Sequence, residues 1–435
     1  LLTVPASAAS SGSTLKIICA DAGQVIFTPP GSTQYAYRYG PAILIDGDRI
    51  DIWASAPPLV SNGVRYGNDS IEYIRSTDGG KTWTEWKTVL YPTLNSEDQW
   101  STCDPGAFKY GDYYYVGYTG SPEFRTNPDK EKQVNNLFIA RAKNPEGPYE
   151  KWNGNGWGGD PYAITRYSGD GVGCSMPSFT VKGDTLYMYY VDQTHPDQDW
   201  NSEGNISVST FSLKDPNWPG NELSNKMCEN KPEEVRYCPD IDKFIGFQLK
   251  GGWDYDSYVE IYESTDGVNF TKTSSFRNNF PHYAHNIGIS GNNLGQLDLS
   301  IQNYIGTAYT PTGVEAWWGH WHTQLIPLYI REEQPSSTTS SQPSGSTDSS
   351  SRKPTTSSVG STDGESSETE VSEPQNSNIE STVSDDKDKD KEVNNKTEQQ
   401  EETSYLWLYI VIGAVVVLAG AGTAVYFLVI KKKHV

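Results

Sequence analysis

Ser76-Thr77-Asp78-Gly79-Gly80-Lys81-Thr82-Trp83 follows the strand-like run Ile71-Glu72-Tyr73-Ile74-Arg75. A looser copy, Ser264-Thr265-Asp266-Gly267-Val268-Asn269-Phe270, follows Tyr258-Val259-Glu260-Ile261-Tyr262. In both, an apolar strand runs into an Asp-Gly turn whose carboxylate can staple the turn's own amides, and an aromatic residue then plugs back into the sheet. One corner of a β-sheet unit is written twice, so the chain is built of repeats.

Around these corners the middle of the chain reads five times as strand, turn and aromatic-rich strand. Three copies are clear: Pro41-Ala42-Ile43-Leu44-Ile45 with 48–53, Pro105-Gly106-Ala107-Phe108 with 113–118, and Pro177-Ser178-Phe179-Thr180-Val181 with 186–191, joined at Gly47, Gly111 and Gly183. Residues 240–246 leading to Gln248-Leu249, and 286–290 turning at Gly291-Asn292 into 297–304, supply the fourth and fifth. Third strands are expected at 71–75, 137–141, 206–211, 258–262 and 320–326. Alternation without helical periodicity argues for an all-β fold. A repeat of roughly 45–70 residues holding four short strands is a propeller blade, which predicts a five-bladed β-propeller over residues 14–330. Residues 15–27 would add an outer strand to the last blade and hide a sheet edge.

Residues 405–430 are apolar and uncharged, long enough to cross ~30 Å of hydrocarbon as one transmembrane helix. Lys431-Lys432-Lys433 makes 431–435 a cytoplasmic basic tail and leaves everything before 405 extracellular. Residues 331–404 are rich in Ser, Thr, Pro, Gln, Asn and acidic residues and read as a disordered stalk, with a reach of about 45 Å. Residues 1–10, with Ala6-Ser7-Ala8, resemble the end of a signal peptide. The expectation is a monomer at the cell membrane. A net charge of −21 over 435 residues disfavours nucleic acid as a partner.

Five cysteines in an exported chain permit two disulfides and one thiol, with Cys228–Cys238 and Cys103–Cys174 as the pairs. Asn68, Asn205, Asn269 and Asn395 head Asn-x-Ser/Thr triplets.

A propeller's funnel is lined by the starts of its inner strands and by the loops leaving its second strands. Strand starts supply Arg38-Tyr39, Cys103-Asp104, Cys174-Ser175-Met176, Arg236-Tyr237 and His285-Asn286. The loops supply Ser55, Ser121-Pro122-Glu123, Asp192-Gln193-Thr194-His195 and Trp253-Asp254-Tyr255-Asp256. Acids, arginine, histidine and aromatics in one opening suit a saccharide, which stacks on rings and takes bidentate hydrogen bonds. Asp104 leads the catalytic candidates, because Pro105 is expected to hold it extended at the mouth of its blade. Asp192, Asp69, Glu123 and Asp240 are its candidate partners. Arg38, Tyr39, Arg236, Trp253 and His285 are the candidate substrate-binding residues. Asp78 and Asp266 read as structural, and His320 and His322, beside Trp317, Trp318 and Trp321, as partly so. No dense acidic loop demands a metal; His285 and nearby carboxylates offer an axial Ca²⁺ position held partly through water.

The two Asp-Gly turns, which resemble Asp boxes, and Tyr37-Arg38-Tyr39-Gly40-Pro41-Ala42-Ile43-Leu44 look like the start of a sialidase. That resemblance implies a carboxylate-binding role for Arg38, although the residue added before Pro41 departs from the pattern. The rest of residues 30–330 is similar to five-bladed glycoside hydrolases of the family 43 kind. The likeness rests on Cys103-Asp104-Pro105-Gly106-Ala107-Phe108, Leu137-Phe138-Ile139-Ala140-Arg141 and the closing Trp318-Gly319-His320-Trp321. It implies an Asp in the first blade that activates water, an Asp in the second that tunes the acid, and a Glu in the third that protonates the leaving group. Here those positions fall at Tyr39-Gly40, Asp104 and Ser175-Met176, so only Asp104 matches.

The expected function is therefore a cell-surface glycoside hydrolase that recruits its acids from other positions, about 5–10 Å apart across the funnel. A non-catalytic glycan-binding propeller is the alternative. A sialidase is the third reading, and it needs three converging arginines.

Overall fold

A computed structural model describes residues 13–30, 36–127, 130–166, 172–194, 204–312 and 319–333, with side chains excepted for 124–133. These residues form strands and no helix. Blade 1 comprises Tyr39–Asp46, Arg49–Ala56, Ser70–Ser76 and Lys87–Leu90; blade 2 comprises Ser101–Tyr110, Tyr113–Ser121, Asn136–Ala142 and Glu150–Lys151. Blade 3 is Gly173–Lys182, Thr185–Gln193, Asn205–Ser212 and Glu222–Met227, and blade 4 is Glu234–Cys238, Lys243–Lys250, Tyr258–Ser264 and Thr271–Phe276. Blade 5 takes Ala284–Gly291, Asn303–Tyr309 and His322–Glu333 from the end of the domain and Thr14–Cys19 from its beginning. The inner strands adjoin in cyclic order, and the ring closes where Ser290 and Gly291 lie parallel to Ile43 and Leu44. This is a five-bladed propeller.

The closing strand has the pattern that an outer position requires: Leu15, Ile17 and Cys19 are buried, and the residues between them face water. It pairs antiparallel with the last strand, Thr14 opposite Glu333 and Ile17 opposite Ile330. Arg331 to Glu333 are therefore sheet, and the stalk expected from 331 can begin no earlier than 334. The inner strands are sandwiched between neighbouring blades and read as near-continuous apolar runs; Tyr39–Asp46 is buried everywhere but at its last residue. Two glycines set how closely these strands approach. A Cβ on Gly106 would stand 1.9 Å from the Pro177 carbonyl oxygen, and one on Gly288 would stand 1.5 Å from that of Pro41.

One end of the central channel is plugged. The segment between Gly291 and Asn303 was expected to be strand from 297, but the second strand of blade 5 starts only at Asn303. The intervening loop runs under the other blades. The Asn293 carbonyl takes the Lys109 N–H of blade 2 at 2.5 Å, and the Leu294 carbonyl takes the Val181 N–H of blade 3 at 3.0 Å. The Leu297 N–H reaches the Tyr237 carbonyl of blade 4 at 2.9 Å, and Asn293 Nδ2 donates to Asp46 of blade 1 at 3.1 Å. Backbone groups of a loop over the axis can be satisfied only by the ends of the surrounding strands. The funnel is left open at the opposite end, where the inner strands start.

The two Asp-Gly turns lie at the plugged end, each between the third and fourth strands of its blade. Asp78 takes the Thr82 N–H at 2.9 Å and hydroxyl at 2.6 Å, which hold its carboxyl down at about 2. Asp266 takes the Val268 and Asn269 N–H groups at 2.9 and 2.8 Å, and Phe270 is buried behind it.

All five cysteines are unbonded and buried, which corrects the expected disulfides. The expected partners belong to different apolar clusters: Cys103 packs with Tyr37 and Trp321, Cys174 with Phe179, Cys228 with Tyr189, and Cys238 with Ile245. Residues 1–10, 334–404, 405–430 and 431–435 lie outside the described residues, so the signal-peptide end, stalk, membrane helix and tail rest on sequence.

Candidate active site

Four of the five inner strands begin with the same irregularity. Their pairing with the second strand slips between Tyr39 and Ala42 in blade 1, Cys103 and Gly106 in blade 2, Ser175 and Ser178 in blade 3, and His285 and Ile287 in blade 5. Inside each slip one residue is left-handed: Gly40 at φ 57°, Asp104 at 48°, Met176 at 57° and Asn286 at 54°. A β-bulge adds one residue and so reverses the alternation of side chains beyond it. The expectation of an extended Asp104 is thus corrected. What holds the bulge is a hydroxyl from the preceding blade's second strand: Ser55 Oγ accepts the Asp104 N–H at 2.7 Å, and Thr119 Oγ1 accepts the Met176 N–H at 2.9 Å.

Three bulges converge. Asn286 Nδ2 donates to Asp104 Oδ1 at 3.3 Å, and a Cβ on Gly40 would stand 3.6 Å from each of these two atoms. The other oxygen of Asp104 takes the Cys103 S–H at 3.5 Å. Burial pushes the Asp104 carboxyl up to about 6; hydrogen bonds from Thr119 and Cys103 oppose the rise, and the charge of Asp69 adds to it.

Asp69 is buried and fully engaged, taking the Tyr37 hydroxyl at 2.5 Å, the Ser101 hydroxyl at 2.8 Å and the Asn68 amide at 3.2 Å. Ser101 Oγ in turn lies 3.4 Å from Cys103 Sγ, so links of 2.8, 3.4 and 3.5 Å join Asp69 to Asp104. The two carboxylates are then less than about 10 Å apart, inside the span of an acid pair, but Asp69 turns its oxygens to protein donors rather than to the opening. It acts on Asp104 through its charge.

The wall beside Asp104 is aromatic. Tyr39, Tyr37 and Trp321 are buried together, with Tyr39 5.5 Å from each of the other two rings. His285 packs 5.3 Å from Tyr39 and 4.4 Å from Trp321, and Trp253 covers it at 4.4 Å. Trp253 is 37% exposed, which leaves part of its ring to a ligand. Its backbone sits at φ 70°, and its N–H is tied to the Ala284 carbonyl at 3.0 Å. Burial among these rings pulls His285 down to about 3, so its imidazole is neutral at ordinary pH. Tyr255 extends the rim, half-exposed and stacked on His282 at 3.9 Å.

The remaining candidates lie elsewhere. Arg38 pairs with Glu72 at 2.5 Å and lies over the Phe27 ring at 4.6 Å, between blades 1 and 5. Arg236 is buried on the axis, donating to the Ile289 carbonyl at 2.6 Å and to Ser178 at 2.7 Å and pairing with Glu234 at 2.8 Å. It ties blades 3, 4 and 5 together. Both arginines were expected to meet a ligand, and both are instead spent on the fold; the cluster a sialidase needs does not form from them. Asp240 is exposed in the turn after the inner strand of blade 4, taking the Leu299 N–H at 3.1 Å at the plugged end, away from the funnel mouth. Asp192 lies opposite Cys174 at the funnel end of blade 3, holding the Thr194 N–H at 3.1 Å and the Ser207 hydroxyl at 3.3 Å. Glu123 is exposed on the loop after the second strand of blade 2, and His195 lies outside the described residues. Among the described residues no three His, Cys, Asp or Glu side chains gather as a cation site.

Asn286 was named only as part of the funnel lining and not as a site residue, and Thr119 was not named. The bulge position itself was legible in three blades as a repeated dipeptide, Gly40-Pro41, Asp104-Pro105 and Met176-Pro177, but Asn286 precedes Ile287 and Thr119 lies on a second strand, so neither carries that signal.

No family model matches the chain, and no curated protein does. Among solved structures it is similar to an α-L-arabinofuranosidase from Podospora anserina in complex with cellotriose, at 12% identity over 76% of this chain and 99% of that one, with a TM-score of 0.46. A family 117 glycoside hydrolase from the marine bacterium Zobellia galactanivorans gives 15% identity over 74% and 91% of the two chains, with a TM-score of 0.46. A family 43 enzyme from Xanthomonas citri complexed with xylose gives 13% over 70% and 90%, with a TM-score of 0.45. At such identities the function must be argued from the funnel of this chain.

Proposed function

We propose that the funnel binds a saccharide and that the chain is a glycoside hydrolase in which Asp104 delivers the proton to the leaving oxygen. The observation that carries this reading is Asp104 itself: a partly exposed carboxyl held at about 6, at the convergence of three bulges and beside an aromatic wall. An acid that keeps its proton near neutral pH can protonate a glycosidic oxygen, a contribution of roughly 10²–10⁴ in rate. Trp253 offers a face for a sugar ring, and Asn286 offers hydrogen bonds to its hydroxyls. Burial keeps the acid protonated, and the charge of Asp69 adds to that effect. Asp192, near the end of the second strand of blade 3, and Glu123, on the loop after the second strand of blade 2, are its candidate partners.

A second reading, glycan capture without turnover, is favoured by Gly40, Met176 and Asn286, which put no carboxylate at three of the four equivalent positions. One experiment separates the two. The chain and its Asp104→Asn variant are assayed for hydrolysis of aryl glycosides and for binding on a glycan array. Turnover that Asp104→Asn abolishes while binding persists supports the hydrolase; binding by both proteins with no turnover of any bound glycan leaves capture.

The apolar segment 405–430, its basic tail and the Ser/Thr-rich stretch before it support a single-pass anchor holding a monomeric propeller outside the cell. Protease treatment of intact cells should release the propeller; retention of an inaccessible domain would refute that placement.

A further inference from the structure

Thr119 stands opposite Cys103 in blade 2, buried, on the strand that pairs with the Asp104 bulge. Its hydroxyl oxygen accepts the Met176 N–H of blade 3 at 2.9 Å. A backbone N–H can only donate, so this bond occupies the oxygen and leaves the one hydrogen of the hydroxyl to be given elsewhere. It is given to Asp104, and of the groups that hold the Asp104 carboxyl down Thr119 has the largest effect. The polarity of the hydroxyl is thus fixed from the neighbouring blade, by an amide held at a left-handed φ of 57°. Ser55 is the corresponding residue of blade 1, opposite Tyr39, and accepts the Asp104 N–H in the same way, but the bulge beside it carries Gly40 and no carboxyl. Two hydroxyls therefore hold Asp104, Ser55 by its backbone and Thr119 by its side chain.

Resting on the hydrolase reading, we propose that Thr119 is a positioning residue for proton delivery: its hydroxyl, oriented by the Met176 amide, steadies the carboxylate that Asp104 becomes when the proton leaves. In that transfer the O–H bonding pair stays on Asp104 while the proton joins the leaving glycosidic oxygen, and the new negative charge falls on oxygens that three donors face. Two of the donors are long or weak, the Asn286 amide at 3.3 Å and the Cys103 thiol at 3.5 Å. Thr119 is the hydroxyl among them, and a hydrogen bond strengthens when its acceptor becomes charged. The titratable groups around the carboxyl bring no compensating positive charge. Asp69 is an acid whose charge raises Asp104, burial keeps Cys103 and Tyr39 neutral, and His285 beside Tyr39 is neutral at ordinary pH. Without Thr119, burial and the Asp69 charge would push the carboxyl up against only the thiol and the long Asn286 bond.

The test is Thr119→Val, with Thr119→Ser keeping the hydroxyl. Val191 occupies the corresponding place in blade 3, opposite Ser175, so a second strand of this propeller accepts valine there. Turnover of methyl and phenyl glycosides, whose leaving oxygens need a proton, is followed from about pH 4 to 9 for the parent and both variants. Over the same range, urea unfolding of each protein is compared with that of the same protein carrying Asp104→Asn. Expected for Thr119→Val is a kcat about tenfold lower with KM unchanged, and an alkaline limb of kcat/KM displaced upward by about one pH unit. The unfolding difference from Asp104→Asn should reach its plateau about one pH unit later as well. Thr119→Ser should keep the parent profile in both measurements. A residue that only braced the bulge would lower kcat or stability at every pH alike. Should valine prevent folding, Thr119→Ala takes its place with the same displacement expected. An unmoved pH dependence, in turnover or in the unfolding difference, overturns the inference while Asp104-dependent hydrolysis stands. A Thr119→Ser profile displaced as far as that of the valine variant does the same. No turnover of any glycoside by the parent overturns the hydrolase reading and this inference with it.

Discussion

Asp104→Asn should stabilise the folded chain at neutral pH while abolishing hydrolysis. Burial raises the Asp104 carboxyl from 3.8 to about 6, so the native state binds more protons than the unfolded state between those values. For a raised carboxyl, stability is greatest below the unfolded pKa and falls as pH rises through the folded one. At pH 7 both states are ionised, and the native state carries the whole cost of about 3 kcal/mol. Residual exposure and the hydrogen bonds from Thr119 and Cys103, which an amide replaces only in part, reduce the expected gain to about 1–2 kcal/mol. The difference between the two proteins should vanish near pH 4 and reach its plateau by about pH 7. Urea unfolding at unit steps from pH 4 to 8 measures it. A pH-independent difference, or a more stable parent at pH 7, would refute the reasoning. In the parent, kcat/KM should decline as pH rises through about 6, because the acid form is the active one.

Arg236→Ala should cost about 3–5 kcal/mol in urea unfolding, since Glu234 is left charged and mostly buried, and adding Glu234→Gln should recover part of the loss. Gly288→Ala should cost at least ~3 kcal/mol or prevent folding, because the Cβ meets a backbone carbonyl that cannot rotate away; a loss under 1 kcal/mol would mean that the inner strands can separate. Trp253→Ala should weaken glycan binding roughly tenfold by titration calorimetry with little change in melting temperature, its ring being partly exposed against His285. Five thiols should titrate in denaturant without reductant, and reductant should leave the unfolding midpoint unmoved.

Blade number, ring closure and the funnel end were readable from sequence because they follow from strand alternation and Gly turns, which local chemistry dictates. Side-chain direction at the strand starts was not. It depends on the bulge, and the bulge is held by Ser55 and Thr119 from the preceding blade. Arg38 stands before its bulge and points between blades to Glu72. Blade 4 pairs regularly from Glu234 to Cys238, so Arg236 sinks into the axis instead of rising into the funnel. One residue of register separates a ligand-binding arginine from a structural one. The plug loop was misread because Leu297 is apolar for a reason other than strand pairing: it is buried beneath the channel. The disulfides failed because each expected pair is divided between two apolar clusters: Cys103 and Cys174, at corresponding points of two blades, and Cys228 and Cys238, near in sequence, face different cores.

Backbone strain gives an independent view of where this molecule is specialised. Asn62, Asn95, Asn230, Asp242 and Asn279 adopt positive φ, and all are Asn or Asp, which tolerate the left-handed region. Met176, Trp253 and Tyr283 also adopt it, at φ 57°, 70° and 51°, and side chains of their size pay more for it. All three lie at the funnel end: at the start of blade 3's inner strand, on the loop leaving blade 4's second strand, and immediately before blade 5. A fold that needed only a closed ring could place glycine at each. Strain of this kind persists where surrounding contacts over-determine it, and here the Trp253 and Tyr283 amides are pinned to Ala284 and Asp254 carbonyls at 3.0 and 2.9 Å. The cost in stability is concentrated where Asp104 also keeps a carboxyl in a poorly solvated place. Both departures from local rules converge on the same opening, so the funnel is the part of this propeller that its stability has been spent to shape.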